Sequence, residues 1–294
     1  MKQTLVIGAA GFVGKYLVRE LEGNGHCVCA ADIPDLNILD TESLDKTFSK
    51  IEFDYVVNLA AVSSVGASWK DPVMTLEVNV RGTLNVLNAV QKYCPKAKVL
   101  LVGSAEEYAL KNAPLTEGDC LEASNPYGIT KIAQENFAEL YRKKYGMKIV
   151  CTRSFNHTGI GQNTNFVLPS FVKQVAEIEK SGKPGKIFVG NLAVSRDFSD
   201  VRDVVFTYRS LLERDNDYDV YNVGSGKAHQ LSDLLNYIVS LASVPVEICV
   251  DPEKFRPVDV PCICADNSRV KDIWPGTDIR DTIKGMFESQ LTQN

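Results

Sequence analysis

The short apolar run Thr4-Leu5-Val6-Ile7 breaks directly into Gly8-Ala9-Ala10-Gly11-Phe12-Val13-Gly14, after which Tyr16, Leu17, Val18 and Leu21 recur at helical spacing up to Gly23. The order is strand, glycine turn, helix. It constrains the fold more than any other stretch. Glycines separated by two residues at a strand-to-helix junction permit a tight turn, let backbone approach a ligand closely, and aim a helix N-terminus at a phosphate. Gly8, Gly11, Phe12, Val13 and Gly14 are therefore candidate cofactor-binding residues, and the cofactor expected there is a dinucleotide.

A second strand, Cys27-Val28-Cys29-Ala30-Ala31, ends in Asp32, where an acid can accept hydrogen bonds from the adenosine ribose. That placement favours NAD(H) over NADP(H), because Ile33-Pro34-Asp35 offers no cation for a 2′-phosphate; the alternative is a solvated turn acid before Pro34. The link from Asp32 to Leu36 and Ile38 is too short for a full crossover helix, so this part of the nucleotide site looks abbreviated. Phe53-Asp54-Tyr55-Val56-Val57-Asn58 reads as a buried strand running into Leu59, Ala60 and Ala61, small enough at its end for backbone to lie against a cofactor. A helix is expected from about Pro72 to Tyr93, with Leu76, Val80, Leu84, Leu87 and Val90 on its apolar face. Asn79 within it is either an ordinary polar residue or an amide that fixes a water or carbonyl near the catalytic helix. The strand Lys98-Val99-Leu100-Leu101-Val102 then delivers Gly103-Ser104-Ala105-Glu106-Glu107-Tyr108 at its carboxyl end, the edge where open parallel sheets place ligands. Ser104 is a candidate hydroxyl donor and Glu106 a candidate acid or base, although Ser-Ala-Glu-Glu also reads as a helix cap with first-turn acids.

Asn125-Pro126-Tyr127-Gly128-Ile129-Thr130-Lys131 opens a further helical stretch and sets Tyr127 and Lys131 four residues apart, on one face. An ammonium that close favours the phenolate, so Tyr127 is expected to titrate below an ordinary phenol and to exchange a proton with an alcohol or ketone oxygen. Tyr127 and Lys131 are candidate catalytic residues and candidate cofactor contacts. With the strand Met147–Arg153, the alternation of strands and helices predicts a doubly wound parallel α/β sheet with right-handed crossovers. Beyond it the pattern loosens into a helix from about Phe166 to Lys180, a short strand Ile187-Phe188-Val189, a charged run from Ser195 to Asp203, a helix from Asp203 through Leu212 and one more strand, Val220–Gly224.

A net charge of −5 over 294 residues argues against a nucleic-acid or membrane-surface binder, so an anionic ligand must be met by locally placed Arg and Lys. No apolar run has the length of a membrane span, and the start passes straight into a strand without a signal peptide, which predicts a cytoplasmic protein. The eight cysteines fall mostly in apolar runs and lack Cys-X-X-Cys spacing, so they read as reduced small hydrophobes, with no metal site expected.

Gly8, Gly11 and Gly14, the Asn58-Leu59-Ala60-Ala61 strand end, Ser104, and Tyr127 with Lys131 together resemble the extended short-chain dehydrogenase/reductase (NAD-dependent epimerase/dehydratase) family. Arg153-Ser154-Phe155-Asn156-His157-Thr158-Gly159, Val189-Gly190-Asn191-Leu192, the run Arg196–Asp203 and Arg256-Pro257 narrow the resemblance to its nucleotide-sugar branch, nearest the GDP-6-deoxy-D-mannose reductases and their neighbours the GDP-mannose 4,6-dehydratases. The resemblance implies a Rossmann sheet (residues 1–153, with a returning segment about 203–226) and a smaller C-terminal α/β substrate domain (154–202 and 227–294). It implies that Ser104, Asn156, Val167, Lys173, Arg196 and Arg256 meet a nucleotide sugar, GDP-linked as in those relatives, with Arg196 and Arg256 on the diphosphate, and that the protein is a homodimer. Ile160 departs from the proline usual after this Asn-His motif. The activity implied is reduction of the C4 ketone of a GDP-4-keto-6-deoxyhexose by NAD(P)H, with Tyr127 as proton donor. A 4,6-dehydratase would use Glu106 as base, yet Ala105 has neither hydroxyl nor carboxyl to serve as the second donor. A 4-epimerase, and a non-catalytic dinucleotide-binding regulator, are the remaining alternatives.

Overall fold

The structure, a computed structural model, describes residues 1–111, 113–254 and 260–292. In chain order it comprises β1 (Gln3–Ile7), α1 (Phe12–Gly23), β2 (Cys27–Ala31), α2 (Thr41–Phe48), β3 (Tyr55–Asn58), α3 (Val65–Lys70), α4 (Pro72–Leu76), α5 (Gly82–Tyr93), β4 (Lys98–Ser104), α6 (Pro126–Tyr145) and β5 (Lys148–Ser154). There follow β6 (Asn156–Thr158), α7 (Val167–Ser181), β7 (Gly185–Val189), β8 (Ser195–Asp200), α8 (Val201–Glu213), β9 (Val220–Val223), β10 (Ala228–Gln230), α9 (Leu231–Ser240), β11 (Val246–Val250), β12 (Cys262–Ile263) and α10 (Ile279–Thr292).

Six strands pair in parallel in the order β2-β1-β3-β4-β5-β9. Their sequences are near-continuous apolar runs because both faces are covered. Successive residues alternate between the faces. Leu5, Ile7 and Val56 pack with Leu44, Phe48, Val86, Val90 and Ala138 of α2, α5 and α6. Val6 and Val57 pack with Leu17, Leu21, Val204, Tyr208 and Leu211 of α1 and α8. The chain leaves β1 toward β2 and later returns to β3 on the other side of β1, so the strand order reverses there and opens a crevice at the carboxyl ends of β1 and β3. A second apolar core gathers Leu168, Phe171 and Val175 of α7, Leu234 and Ile238 of α9, and Ile283 and Phe287 of α10, with Ile187 of β7 and Phe198 of β8.

The link from Asp32 to Leu36 and Ile38 holds no helix, as its length implied; the crossover helix, the eight-residue α2, comes only after it, its N-terminus capped by Asp40 through the Glu42 N–H. The helix expected over 72–93 is not uniform, because Glu77–Arg81 forms a π turn between α4 and α5. The wider turn shifts the inward face, so Thr75 and Asn79 are buried and Leu76 is 52% exposed, contrary to its predicted place on the apolar stripe. Asn79 does fix a carbonyl, that of Val62, and ties it to α6 beside Lys131: its Oδ1 accepts from the Val62 N–H at 2.8 Å, and its Nδ2 donates to the Val62 carbonyl at 3.2 Å and to Thr130 Oγ1 at 2.9 Å.

Candidate active site

The glycine turn is shaped by close approach. Gly8 has φ +84°, and a Cβ there would stand 2.9 Å from the backbone nitrogen of Ala60, so this turn and the end of β3 meet across the crevice. A Cβ on Gly14 would lie 2.3 Å from the Gly8 carbonyl oxygen, which is how tightly α1 enters the turn. Gly11, the N-cap of α1, provides no side-chain cap, so the first N–H groups, those of Phe12 and Val13 among them, have no side chain closing the helix end. Backbone donors at an uncapped N-terminus beside a cradle that any side chain would fill suit a pyrophosphate. Asp32 sits beside them: Oδ2 accepts from the Ala10 N–H and Oδ1 from the Ile33 N–H, each at 2.9 Å. Leu59, Ala60 and Ala61 line the facing strand end, with Leu59 N–H donating to the Ile7 carbonyl at 2.9 Å.

Ser104 and Tyr127 are brought together by α6. Asn125 caps that helix through the Gly128 N–H at 2.9 Å, and Pro126 follows at the first helical position. Gly128 is the residue that permits the approach, since a Cβ there would lie 2.3 Å from the Glu106 carbonyl oxygen. The glycine between Tyr127 and Lys131 is thus a readable packing signal, though its partner is not.

Tyr127 and Lys131 are both buried, with the ammonium 5.6 Å from the phenol ring centroid. Lys131 Nζ donates to the Val102 carbonyl at 2.7 Å. The expected depression of the Tyr127 pKa is overturned: burial pushes the hydroxyl well above an ordinary phenol, a hydrogen bond with Ser104 opposes the rise, and Glu107 and Glu106 add to it. Burial likewise pulls Lys131 below an ordinary lysine, with Glu107 opposing. A buried neutral phenol bonded to a hydroxyl is a proton donor in waiting, and the pair of oxygens can hold one carbonyl or alkoxide oxygen between them.

Glu106 is engaged elsewhere. Its Oε2 accepts from Asn125 Nδ2 at 2.8 Å, which braces the start of α6, and its N–H donates to Ser104 Oγ at 3.2 Å. The capping reading of this segment holds, for Ala105–Glu107 is a 3-10 turn capped by Ser104. Sequence reasoning passed over Glu107 and Arg153. Arg153 is 4% exposed and binds Glu135 through Nε at 3.0 Å and Nη2 at 2.5 Å, while its Nη1 donates to the Tyr108 hydroxyl and the Glu117 carbonyl, each at 3.0 Å. Tyr108 in turn donates to Asn222 Oδ1 at 2.6 Å, joining β9 to the segment after Ser104.

The residues expected on the sugar-nucleotide side lie on separate elements. Asn156 on β6 is exposed, Val167 opens α7 half-buried, and Lys173, further along α7, pairs with Glu177 at 3.7 Å. Arg196 on β8 donates through Nη1 to the carbonyls of Ser195 and Val260, each at 2.8 Å. Arg256 lies outside the described residues. His157 stacks on Phe12, ring centroids 6.3 Å apart and planes 8° apart, and Tyr16 donates to the Ile160 carbonyl at 2.8 Å, so the segment after β5 rests on the first turns of α1. Burial holds His157 below an ordinary imidazole. All eight cysteines are free; Cys27 and Cys120 are exposed rather than packed in apolar surroundings. Among the described residues no three His, Cys, Asp or Glu side chains gather as a metal site, and no helix is long and apolar enough to cross a membrane.

A doubly wound sheet with this glycine turn and a Ser/Tyr/Lys cluster at the carboxyl edge defines an extended short-chain dehydrogenase/reductase. More narrowly, the family described as GDP-mannose 4,6 dehydratase matches residues 30–274, and the chain belongs to that family. It is 30% identical over 293 residues to the GDP-6-deoxy-D-mannose reductase of Pseudomonas aeruginosa, covering 97% of this chain and 96% of that protein. It is 26% identical to the GDP-6-deoxy-D-talose 4-dehydrogenase of Aggregatibacter actinomycetemcomitans, with 98% of both chains covered. The solved structure of RMD from Pseudomonas aeruginosa complexed with NADPH superposes with a TM-score of 0.90 at 28% identity, covering 99% of each chain.

Proposed function

We propose that the protein is a nucleotide-sugar oxidoreductase that reduces the C4 ketone of a GDP-4-keto-6-deoxyhexose. The observation that carries the reading is the meeting of Ser104, Tyr127 and Lys131 at the same carboxyl edge of the sheet as the glycine turn, in a chain similar over nearly its whole length to a GDP-6-deoxy-D-mannose reductase. A bound nicotinamide dinucleotide supplies the hydride. Tyr127 gives its proton to the oxygen on C4, and Ser104 holds that oxygen by a second hydrogen bond, so charge is met as it develops. Lys131, fixed by the Val102 carbonyl, keeps a cation beside the phenol after the proton has left. Gly8, Gly11, Phe12, Val13 and Gly14 hold the pyrophosphate, and Asp32 takes the ribose hydroxyls, which favours NAD(H) even though the Pseudomonas relative was solved with NADPH. Asn156, Val167, Lys173, Arg196 and Arg256 are the proposed sugar-nucleotide contacts, within a substrate domain of residues 154–202 and 227–294.

The dehydratase alternative is weakened by Ala105, which has no group to protonate a leaving hydroxyl, and by Glu106, whose carboxylate braces Asn125. A homodimer in the cytoplasm completes the reading. Val73, Met74 and Leu76 of α4 and Ile129 and Leu140 of α6 are exposed apolar side chains on two elements that touch, a surface suited to a second copy.

The test is incubation of purified protein with GDP-mannose alone, and separately with its 4-keto-6-deoxy derivative plus NADH or NADPH. Reductant consumed only with the ketone supports the reading. Conversion of GDP-mannose without added reductant would sink it, and reaction with a non-GDP sugar alone would remove the guanine assignment.

A further inference from the structure

Glu107, the neighbour of the acid that the sequence singled out, is fully buried. It closes the 3-10 turn after β4 and completes a reciprocal cap: Ser104 Oγ serves the turn, and Glu107 Oε1 accepts from the Ser104 N–H at 2.6 Å. Gly103 leaves the space, for a Cβ there would stand 2.4 Å from that same oxygen. The cap needs one acceptor. A carboxyl has two oxygens, and Oε2 is buried with no hydrogen-bond partner among the described residues.

The groups facing this carboxyl are few. From β5 comes Arg153, Nε at 3.9 Å, a guanidinium already taken by Glu135 of α6 through two bonds. From α6 come Lys131, whose Nζ donates at 2.7 Å to the Val102 carbonyl, two residues along β4 from the Ser104 N–H that Glu107 holds, with Tyr127 one turn before it, and Glu135, which opposes ionisation of the carboxyl; the buried Cys151 thiol of β5 faces the same pair. Burial raises Glu107 and lowers Lys131, whereas the attraction between them works the other way in both. A glutamine would cap Ser104 equally well. What the carboxyl adds is a charge facing Lys131 in a site where the field is little screened.

We propose that Glu107 is a positioning residue of this site: its buried carboxyl fixes the backbone of Ser104 through one oxygen, and the charge of the group keeps Lys131 an ammonium beside Tyr127. The kinetic part rests on the reductase reading; the charge relation between Glu107 and Lys131 does not.

Glu107→Gln keeps the shape and the acceptor and deletes the charge. With lysines labelled at Cε and the Lys131 signal assigned by its loss in Lys131→Met, the titration midpoint of Lys131 is expected to fall by roughly one pH unit or more in Glu107→Gln. Without its anion the ammonium deprotonates at lower pH, so the alkaline limb of the kcat profile moves down with it, while KM for the sugar nucleotide holds within about twofold. An unmoved Lys131 midpoint overturns the proposal. Glu107→Asp keeps the charge but withdraws it by one methylene, and covers the case in which the Gln variant does not fold. It is expected to leave the midpoint near that of the parent and to lower kcat through the loosened Ser104; a midpoint that falls by about a unit in Asp as well also overturns the proposal. If the parent protein does not turn over the ketone, the reductase reading fails while the Lys131 titration still decides the role of Glu107.

Discussion

Asp32 accepts a hydrogen bond from the Ala10 N–H at 2.9 Å, so the acid at the end of β2 is tied to the middle of the glycine turn. In the proposed reading this carboxyl takes the adenosine ribose, and a 2′-phosphate would be repelled there. In Asp32→Ala the ratio of kcat/KM for NADH to that for NADPH is expected to fall by roughly tenfold or more, because the repulsive element is removed. An unchanged ratio would take Asp32 out of cofactor selection.

Gly14→Ala places a methyl 2.3 Å from the Gly8 carbonyl and 2.7 Å from Ala9 Cα, both backbone atoms that cannot swing away. The turn must spread, at a cost of about 1–3 kcal/mol in stability. Denaturant unfolding should register that loss together with weaker dinucleotide binding by fluorescence titration; a fully stable variant would show that α1 can shift as a body.

Tyr127→Phe removes only the hydroxyl from a ring that remains buried. Turnover is expected to drop by about 10²–10⁴-fold with cofactor affinity preserved, the signature of a lost proton donor. Retained turnover would leave the phenol without a role, and an absence of turnover in the parent as well would favour a non-catalytic binder.

Arg153→Met removes the two guanidinium bonds of the half-buried Glu135 and leaves the buried Glu107 carboxyl without its nearest cation, while Tyr108 loses one of its two hydroxyl partners and keeps Asn222. Breaking one side of such a network costs about 3–5 kcal/mol. Urea unfolding should show a lower midpoint, and a midpoint within error of the parent would mean that the network relaxes around the gap.

Lys98 donates to the Arg214 carbonyl at 2.5 Å, and partial burial brings its ammonium down to about 8. As pH rises through that value the amine becomes neutral and nucleophilic, while exposed lysines remain charged until near 10.4. Trace acylation read by mass spectrometry should therefore give a Lys98 rate that levels off around pH 8, with the exposed lysines still rising. A Lys98 rate still climbing above pH 10 would contradict the desolvation.

The glycine turn, the parallel strands and the Tyr127/Lys131 spacing were legible because each follows from local rules: a strand that must break, apolar runs covered on both faces, two side chains one helical turn apart. Choosing between Glu106 and Glu107 was not. Adjacent acids in a turn point in different directions, and only the 3-10 geometry sends one to Asn125 and the other beneath Ser104. The Tyr127 pKa misled for a related reason, since spacing reveals the lysine but not the burial that outweighs it. Arg153 reads as one more strand residue until Glu135, eighteen positions earlier, is seen across from it.

The π turn at Glu77–Arg81 sets a count. Upstream of it Thr75 and within it Asn79 face inward; downstream Gly82, Thr83, Val86 and Val90 do, and Gly82 lies so close to Ile38 that a Cβ would stand 2.4 Å from its Cδ1. The two stretches run out of phase by about one residue, the extra one that a π turn inserts. A chain shortened by that residue could keep Asn79 on Val62 and Thr130, or Val86 and Val90 on the sheet, but not both. Substitutions can drift freely along the outer surface of this helix, where Val73 is 73% exposed, yet its length is fixed to the residue.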